Sequence, residues 1–316
     1  MSVLIAGATG LIGKAVTRKF QERNIEVHYL TTRKGKLKKE EGFKGFYWDP
    51  KNGEIDMQCF DGVTAVINLA GASISQRWTR ANKKKIIRSR LDSLQTLRKA
   101  LEKLETKSIE SFVAASAIGI YPNSFDRYYT EDVTDVDPSF LGEVVSQWEE
   151  EINKFSKFPF SVAAIRIGLV LSSDGGALPA MVKPIKSYVG AAFGSGEQWQ
   201  SWIHIDDLAR QFLFVIDQDL KGIYNGVAPN PVTNTKLIRE IAALLNRPLF
   251  LPNIPKGIMQ LLLGDMSYLL FASQRVSSKK IEEEGFEFYH KNICNALKNI
   301  LLTEEHSSDI YQKEFV

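Results

Sequence analysis

The chain has 316 residues, and its hydrophobic content of 44% is enough to build a substantial buried core. Its 40 Lys and Arg residues against 37 Asp and Glu residues give a net charge of +3, which is too small and too scattered to indicate nucleic acid as the main partner. The two cysteines, Cys59 and Cys294, lie far apart, so the sequence suggests neither a disulfide framework nor a metal site.

Five short apolar runs alternate with helical patterns along the first two thirds of the chain. They lie at 2–6, 25–30, 64–70, 111–117 and 161–171. Strands that alternate with helices form parallel sheets, so the pattern predicts an α/β protein with a Rossmann-type doubly wound parallel sheet. After Thr79, isoleucine and leucine side chains recur at steps of three or four, which predicts a helix that packs on this sheet.

A glycine-rich turn follows the first apolar run and opens a helix. Glycines in this position allow a tight turn, a close approach of the backbone to a pyrophosphate, and close packing of the helix on the strand. Free N–H groups at the start of the helix would hold the pyrophosphate. The turn therefore predicts a dinucleotide site, with a purely structural glycine turn as the alternative. Its cofactor-binding residues are Gly7, Thr9, Gly10, Leu11, Ile12 and Gly13.

The end of the second strand sets the expected choice of cofactor. Sites that prefer NAD(H) usually carry an acidic residue there, about twenty residues after the glycines. This chain has Thr32 and Arg33 instead, and a guanidinium can make a forked contact with a phosphate. We therefore predict that the site prefers NADP(H) over NAD(H). The alternative is that Arg33 only begins a basic loop.

The pattern changes near residue 229, where helices bounded by prolines begin. The predicted organisation is a Rossmann-type domain over 1–229 with substrate-side loops at 172–205, a small helical domain over 230–302, and a loose tail over 303–316.

The most apolar late segment, 257–272, is short and contains Asp265, so it predicts a packed helix rather than a membrane span. The N-terminus begins directly with a strand-like run, without the charged start and cleavage site of a signal peptide. We therefore expect a cytoplasmic protein that has no membrane partner.

Several longer motifs resemble one known family. They are NLAGASI at 68–74, RWT at 77–79 with SR at 89–90, SAIGIY at 116–121, GSGEQWQSWIHIDDLA at 194–209 and, nearer the C-terminus, NGVAPNPVTN, NRP, LLLGDM and GFEF. Up to about residue 302 the chain is similar to the atypical branch of the extended short-chain dehydrogenase/reductases, the branch called epimerase family proteins. The resemblance implies an NAD(P)-dependent epimerase/dehydratase domain and a characteristic C-terminal domain.

The resemblance also implies further contacts with the cofactor. They come from Leu69, Ala70 and Gly71 at the end of the third strand, and from Arg90 on the following helix. For Arg90 the alternative is an exposed helix arginine that pairs with a neighbouring acid.

Catalytically competent relatives use a Ser or Thr to orient the substrate, and a Tyr with a Lys four residues later to exchange a proton. Ser116 matches the first role. The chain has Phe140 or Leu141 where the tyrosine belongs, and Val144 or Val145 where the lysine belongs. None of these four side chains can transfer a proton, so the usual mechanism is missing.

Three tyrosines, Tyr121, Tyr128 and Tyr129, follow Ser116 on the loop at the end of the strand, and Tyr121 is the first candidate for a substitute donor. Glu143 and Glu149 qualify only if burial raises their pKa values, and the simpler interpretation is that both face water. Four later residues are candidates for substrate contact, with packing as the alternative: Gln198, Trp199, Trp202 and His204.

Besides a structural interaction module whose vestigial site binds no cofactor, two functions stay open at this point. The first is an NADP-dependent oxidoreductase or epimerase/dehydratase that acts on a small sugar-like or carbonyl substrate. The second is a non-catalytic NADP(H)-binding protein that senses redox state or docks a partner, and the missing Tyr and Lys favour it. The elaborate second domain favours the enzyme. A homodimer is left open.

Overall fold

The computed structural model describes residues 2–104 and 108–302, so the predicted tail over 303–316 lies outside the described residues. The contacts group the chain into two compact units. The first contains the residues up to Pro122 together with Glu131–Ile167 and Ala209–Asn225, and the second contains Asn123–Thr130, Gly168–Leu208 and the residues from Gly226 onward. All of the predicted substrate-side loops at 172–205 thus group with the C-terminal part, and the domain boundary near 229 stays a prediction.

The strands are β1 (Ser2–Ala6), β2 (Glu26–Thr31), β3 (Lys39–Glu40), β4 (Phe43–Asp49), β5 (Glu54–Ile55), β6 (Val63–Asn68), β7 (Ser111–Ala117), β8 (Tyr128–Tyr129), β9 (Ser161–Ile167), β10 (Leu169–Leu171), β11 (Trp199–Gln200), β12 (Trp202–His204), β13 (Gly222–Gly226), β14 (Val232–Thr233) and β15 (Arg275–Val276). The helices are α1 (Leu11–Glu22), α2 (Arg80–Leu101), α3 (Phe140–Asn153), α4 (Leu178–Lys186), α5 (Ile205–Asp217), α6 (Asn234–Leu244), α7 (Lys256–Leu263), α8 (Tyr268–Phe271) and α9 (Lys279–Glu283). Residues 293–302 are also helical.

The first unit is built on a nine-stranded sheet in the order β13-β9-β7-β6-β1-β2-β4-β3, with β5 paired to β4. β1 pairs in parallel with β2 on one side and with β6 on the other, and β7 and β9 continue the parallel arrangement. The strand order therefore reverses at β1, which places a crevice at the carboxyl ends of β1 and β6. The predicted Rossmann-type sheet is confirmed.

Helix α2 illustrates how the predicted apolar pattern becomes core. The side chain of Thr79 caps its first turn by accepting from the backbone N–H of Asn82. Its buried stripe includes Leu94, Leu97 and Leu101, whereas Ile87 is half-buried. The predicted helix is confirmed, and its length brings Ser89 and Arg90 to the loop that follows β6.

The predicted single strand over 161–171 is wrong, because the run divides at Gly168 into β9 and β10. The N–H of Gly168 donates to the carbonyl of Gly226, and a Cβ at Gly168 would lie 2.3 Å from the carbonyl oxygen of Ser201. Glycine permits this close approach of backbones. β10 then pairs with β12 in the second unit.

The second unit has short strand pairs and a core that includes Leu171, Trp202, Leu237, Ile241 and Leu297. The prediction of one packed helix over 257–272 is wrong. α7 ends at Leu263, before Gly264 with its φ of +61°, and none of the α7 residues is buried. Over the described residues, no helix is long and apolar enough to cross a membrane.

Candidate functional site

The glycine turn between β1 and α1 has two glycines that the fold itself requires. A Cβ at Gly7, whose φ is +89°, would lie 2.8 Å from the carbonyl carbon of Leu69, and a Cβ at Gly13 would lie 2.1 Å from the carbonyl oxygen of Gly7. These glycines hold the helix against the ends of β1 and β6. They explain the tight turn without any ligand.

Gly10 is different, because its environment does not demand a glycine. It is exposed, its φ of −77° suits any residue, and a Cβ there would meet only the carbonyl oxygen of Gly7, at 3.3 Å. Gly10 precedes α1 without a side-chain cap, and no acidic side chain occupies the first turn. The positive end of α1 is therefore open to an anionic ligand, and Thr9 beside it is also exposed.

The loop after β6 is fixed to α2 by hydrogen bonds. The N–H of Ala70 donates to the Asn68 side chain at 3.2 Å, and the N–H of Ala72 donates to Ser89 Oγ at 2.8 Å. Arg90 Nη1 donates to the carbonyl oxygens of Ala72 and Ile86. Leu69, Ala70 and Gly71 thus stand at the switch point of the sheet, where the cofactor is expected.

Arg90 is a half-buried charge that faces Gly71, since a Cβ on that glycine would lie 3.3 Å from the guanidinium carbon. Burial lowers the pKa of Arg90 to about 10. Its guanidinium lies 4.8 Å from the ring of Trp148, and both Arg90 Nε and Trp148 Nε1 lack an acceptor among the described residues. The predicted alternative, an exposed arginine paired with an acid, does not fit this position. The phosphates and ribose of a dinucleotide can accept hydrogen bonds from these two unused N–H donors.

The end of β2 has the polar character that the sequence predicts. Thr32 and Arg33 are both exposed, and the N–H of Arg33 donates to Thr31 Oγ1. The Nζ of Lys34 lies 5.0 Å from the ring centre of Tyr47. This rim therefore presents cationic groups to solvent beside the expected ribose position.

Ser116 lies near the carboxyl end of β7 and is 2% exposed. Its neighbour in the sheet register is Arg166 on β9. Ser116 Oγ donates to Glu149 Oε1 at 2.6 Å, while Arg166 donates from Nε to Oε1 and from Nη2 to Oε2 of the same carboxylate, both at 2.8 Å. The interpretation that Glu149 faces water is therefore wrong, because α3 turns this side chain onto the sheet. Glu143, in contrast, is exposed and accepts from Gln147.

Tyr121 completes this network from the other side. Its hydroxyl donates to Asn225 Oδ1 at 2.8 Å and accepts from Arg166 Nη1 at 2.9 Å. Burial raises the pKa of Tyr121 to about 12, against the lowering effect of Arg166. Burial by itself would lower the pKa of Arg166, but hydrogen bonds and charge attraction to Glu149 outweigh it and raise that pKa. A catalytic role for Tyr121 stays a prediction, and its hydroxyl serves here to hold Arg166.

The four predicted substrate residues occur in the second unit, where their surroundings differ. Gln198 donates twice to backbone carbonyls, Trp202 is fully buried with its Nε1 on the carbonyl of Asn230, and His204 is buried. Packing accounts for these three side chains. Trp199 is half-buried, and its ring lies 4.6 Å from the guanidinium of Arg275, so it alone of the four presents a ring that is partly open to solvent.

Arg166, Asn225 and the orientation of Glu149 are the functional features that sequence reasoning missed. One signal was present, because Arg166 is a charged residue within an otherwise apolar run, SVAAIRI. A buried charge in a central strand requires a partner, and the partner is Glu149.

Comparisons with known proteins identify the family of the chain. The family model described as NAD dependent epimerase/dehydratase family matches residues 3–141, and a domain of unknown function, DUF1731, matches residues 254–300. Epimerase family protein SERP0438 of Staphylococcus epidermidis is 38% identical over 94% of this chain and 98% of its own length. A chloroplastic SDR39U1 homologue of Arabidopsis thaliana, also termed an epimerase family protein, is 34% identical over 95% of this chain and 87% of its own. Among solved structures, the human epimerase family protein SDR39U1 (isoform 2) with NADPH is 30% identical, with a TM-score of 0.82 over 95% of this chain and 99% of that chain.

Proposed function

The chain belongs to the NAD dependent epimerase/dehydratase family, as an epimerase family protein of the atypical short-chain dehydrogenase/reductase kind, and from this premise we propose that it is an NADP(H)-dependent oxidoreductase or epimerase/dehydratase. Its substrate is a small sugar-like or carbonyl compound. The single observation that carries the proposal is the pair of unused buried donors, Arg90 Nε and Trp148 Nε1, at the switch point of the sheet.

The residues present fit a dinucleotide. The exposed N-terminus of α1 at Gly10 suits the pyrophosphate, and the segment from Leu69 to Gly71 suits the adenosine side. Arg90 supplies a cation that the protein leaves without a carboxylate partner among the described residues. When bound, a nicotinamide dinucleotide supplies hydride transfer, and the chain supplies binding, orientation and proton handling.

The preference for NADP(H) has two supports. Thr32 and Arg33 stand exposed at the end of β2, where no carboxylate is available to accept from ribose hydroxyls. The similar human protein carries NADPH in its crystal structure. A guanidinium can donate two parallel hydrogen bonds to a 2′-phosphate. An unphosphorylated ribose has no such pair of acceptor oxygens.

Titration with NADPH, followed by cofactor fluorescence, tests the proposal. Arg90→Met is expected to weaken binding about tenfold or more, which is roughly 1.4 kcal/mol. Arg88→Met is the matched control, because Arg88 lies on the same helix and is exposed. Binding that is equally strong in both variants contradicts the assignment of Arg90, and a parent protein that binds no NADPH contradicts the proposed function.

A non-catalytic NADP(H)-binding protein is the second candidate. It is favoured by the side chains of Phe140, Leu141, Val144 and Val145, which cannot transfer a proton. Incubation of the NADPH complex with carbonyls, quinones and nucleotide sugars separates the two functions. Loss of cofactor fluorescence through turnover supports the enzymatic function. Tight binding of NADPH without turnover of any of these compounds supports the non-catalytic function.

A further inference from the structure

The carboxylate of Glu149 stands where Ser116 can pass a proton to it. Helix α3 begins at Phe140, and Glu149 follows nine positions later on the face that meets the sheet. The contact with Ser116, at 2.6 Å, is the shortest hydrogen bond in this network. It therefore links the predicted catalytic serine directly to a carboxylate.

The direction of these hydrogen bonds follows from the donors available. Arg166 can only donate, and it occupies both oxygens of Glu149. The hydrogen in the contact between Ser116 and Glu149 therefore comes from the serine. A serine hydroxyl has one hydrogen and two lone pairs, so Ser116 retains only lone pairs for a third group. While the serine hydrogen is held by the Glu149 carboxylate, a ligand hydroxyl can donate to these lone pairs and a carbonyl oxygen cannot.

We propose that Glu149 replaces the missing Tyr and Lys, by accepting the proton of Ser116 while Ser116 takes a proton from a hydroxyl group of the substrate. This inference rests on the proposed function and narrows its substrate to a secondary alcohol, or to the matching ketone in reverse. Arg166 is a positioning residue, since it fixes the carboxylate and is itself fixed by Tyr121.

The step balances in atoms and electrons. The substrate O–H bond breaks as a new O–H bond forms on Ser116, and the original hydroxyl hydrogen of Ser116 moves to Glu149 Oε1. The electron pair of the substrate O–H bond would become the second C–O bond, while the C–H pair would leave with its hydrogen as hydride, which a bound oxidised nicotinamide would accept. In the reverse direction, the protonated carboxylate returns the proton through Ser116 to a ketone oxygen.

The proton also has a way out to water. The side chain of Glu149 is 15% exposed, compared with 6% for Arg166. Glu149 lines a cavity of about 470 Å³, together with Ile152, Phe158, Phe160, Val162 and Lys221. A proton on Glu149 therefore has a path to water in this cavity.

A thiol placed at position 116 tests the coupling without cofactor or substrate. In Ser116→Cys, the thiol pKa is measured from thiolate absorbance near 240 nm, as the difference from the parent protein. A nearby carboxylate raises a thiol pKa, so adding Glu149→Gln is expected to lower it by about 1 or more. Glu143→Gln is the matched control on the same helix and is expected to leave the thiol pKa unchanged. Equal effects of the two substitutions would overturn the proposed proton relay from Ser116 to Glu149.

Turnover on a panel of secondary alcohols with NADP⁺ gives the second measurement. Glu149→Gln is expected to lower kcat by about 100-fold or more while the affinity for NADPH stays the same. Glu149→Asp keeps the charge beside Arg166 but withdraws the carboxylate by one methylene, so it serves if the Gln variant does not fold, and it is also expected to lower kcat. Full activity in a folded Glu149 variant overturns the relay alone. A parent that binds NADPH and oxidises none of the alcohols overturns the enzymatic function and the relay together.

Discussion

Ser116 and Glu149 share a hydrogen bond of 2.6 Å in which the serine is the donor. Tyr121 is connected to the same network, but both functions of its hydroxyl are already used, as donor to Asn225 and as acceptor from Arg166. The two predicted catalytic residues therefore differ in what they can offer a ligand. Ser116 keeps free lone pairs, whereas Tyr121 is a brace for the guanidinium.

This difference predicts opposite outcomes for two substitutions. Ser116→Ala is expected to abolish turnover and to lower the free energy of unfolding less than Tyr121→Phe, because Glu149 keeps both hydrogen bonds from Arg166. Tyr121→Phe is expected to destabilise the fold by about 1 to 3 kcal/mol, because buried polar groups of Arg166 and Asn225 lose a partner. Burial raises the pKa of Tyr121 to about 12, so Tyr121→Phe should leave the pH dependence of kcat between 6 and 9 as it is in the parent. Urea unfolding measures the free energy of unfolding of both variants, and pH–rate profiles measure the pH dependence of kcat. A shifted pH–rate profile in Tyr121→Phe would indicate that Tyr121 is a proton donor after all.

The glycine turn predicts that cofactor binding and stability respond to different positions. Gly10 precedes α1 with extended backbone geometry, so serine can cap the helix there after a small shift of the Gly7 carbonyl oxygen, which would lie 3.3 Å from the new Cβ. Gly10→Ser is expected to keep or slightly raise the melting temperature while it weakens NADPH binding about tenfold or more, since the side chain obstructs the pyrophosphate. Gly13→Ala is expected to destabilise the fold, because its Cβ would lie 2.1 Å from the carbonyl oxygen of Gly7. Undiminished NADPH binding by Gly10→Ser would indicate a purely structural turn.

Cofactor preference is predicted to depend on Arg33. Arg33→Met should weaken NADPH about tenfold and leave NADH nearly unchanged, because only the first carries the 2′-phosphate. Lys36→Met, in the adjacent turn and also exposed, controls for the general loss of positive charge. The measurement is the dissociation constant of NADH divided by that of NADPH, at physiological salt. This ratio should fall in Arg33→Met. A ratio that falls equally in both variants would assign the preference to the overall charge of the loop.

The sequence was sufficient for the elements whose signal is local. The turn from Gly7 to Gly13, the cap at Thr79 and the apolar strands 2–6 and 111–117 all follow from residue type and spacing. Strand β4 was missed, although it pairs with β2, because FKGFYWD mixes aromatic residues with Lys44 and Gly45. Gly45 is required there, since a Cβ would lie 2.5 Å from the ring of Tyr29, and such a contact between strands cannot be inferred from one segment.

In the candidate site, too, some residues have a local sequence signal and others come together only through the fold. The predicted cofactor residues lie within contiguous motifs, so each could be proposed one position at a time. Glu149, Arg166 and Asn225 come from a helix and two strands that meet only in the folded chain. On α3 alone, Glu149 looks like any polar residue beside the buried Trp148. Only the register that places Arg166 next to Ser116 shows which way the carboxylate turns.

The surroundings of His204 predict that the second unit loses stability as the pH falls. Its Nδ1 accepts from the N–H of Asp206, its Nε2 contacts Asn299 Oδ1, and its ring stacks on His290 at 3.7 Å. Burial and the neighbouring His290 lower the pKa of His204 from 6.5 to about 4, although Asp206 and Asp207 act in the opposite direction. Protonation would place a hydrogen on Nδ1 against the N–H of Asp206, so the fold favours the neutral ring.

The sign of the effect follows from the lowered pKa of His204. Above pH 6.5 the ring is neutral in both folded and unfolded chains, so the stability is fully present there. As pH falls from 6.5 towards 4, the unfolded chain binds the proton first, and up to roughly 3 kcal/mol of stability is lost. His204→Gln removes this titration, so the difference in free energy of unfolding between variant and parent should shrink as the pH falls. Urea unfolding at several pH values between 7.5 and 4 measures that difference. A constant difference over this range would mean that His204 is protonated equally in both states, contrary to the burial that its stacked ring and two hydrogen bonds produce.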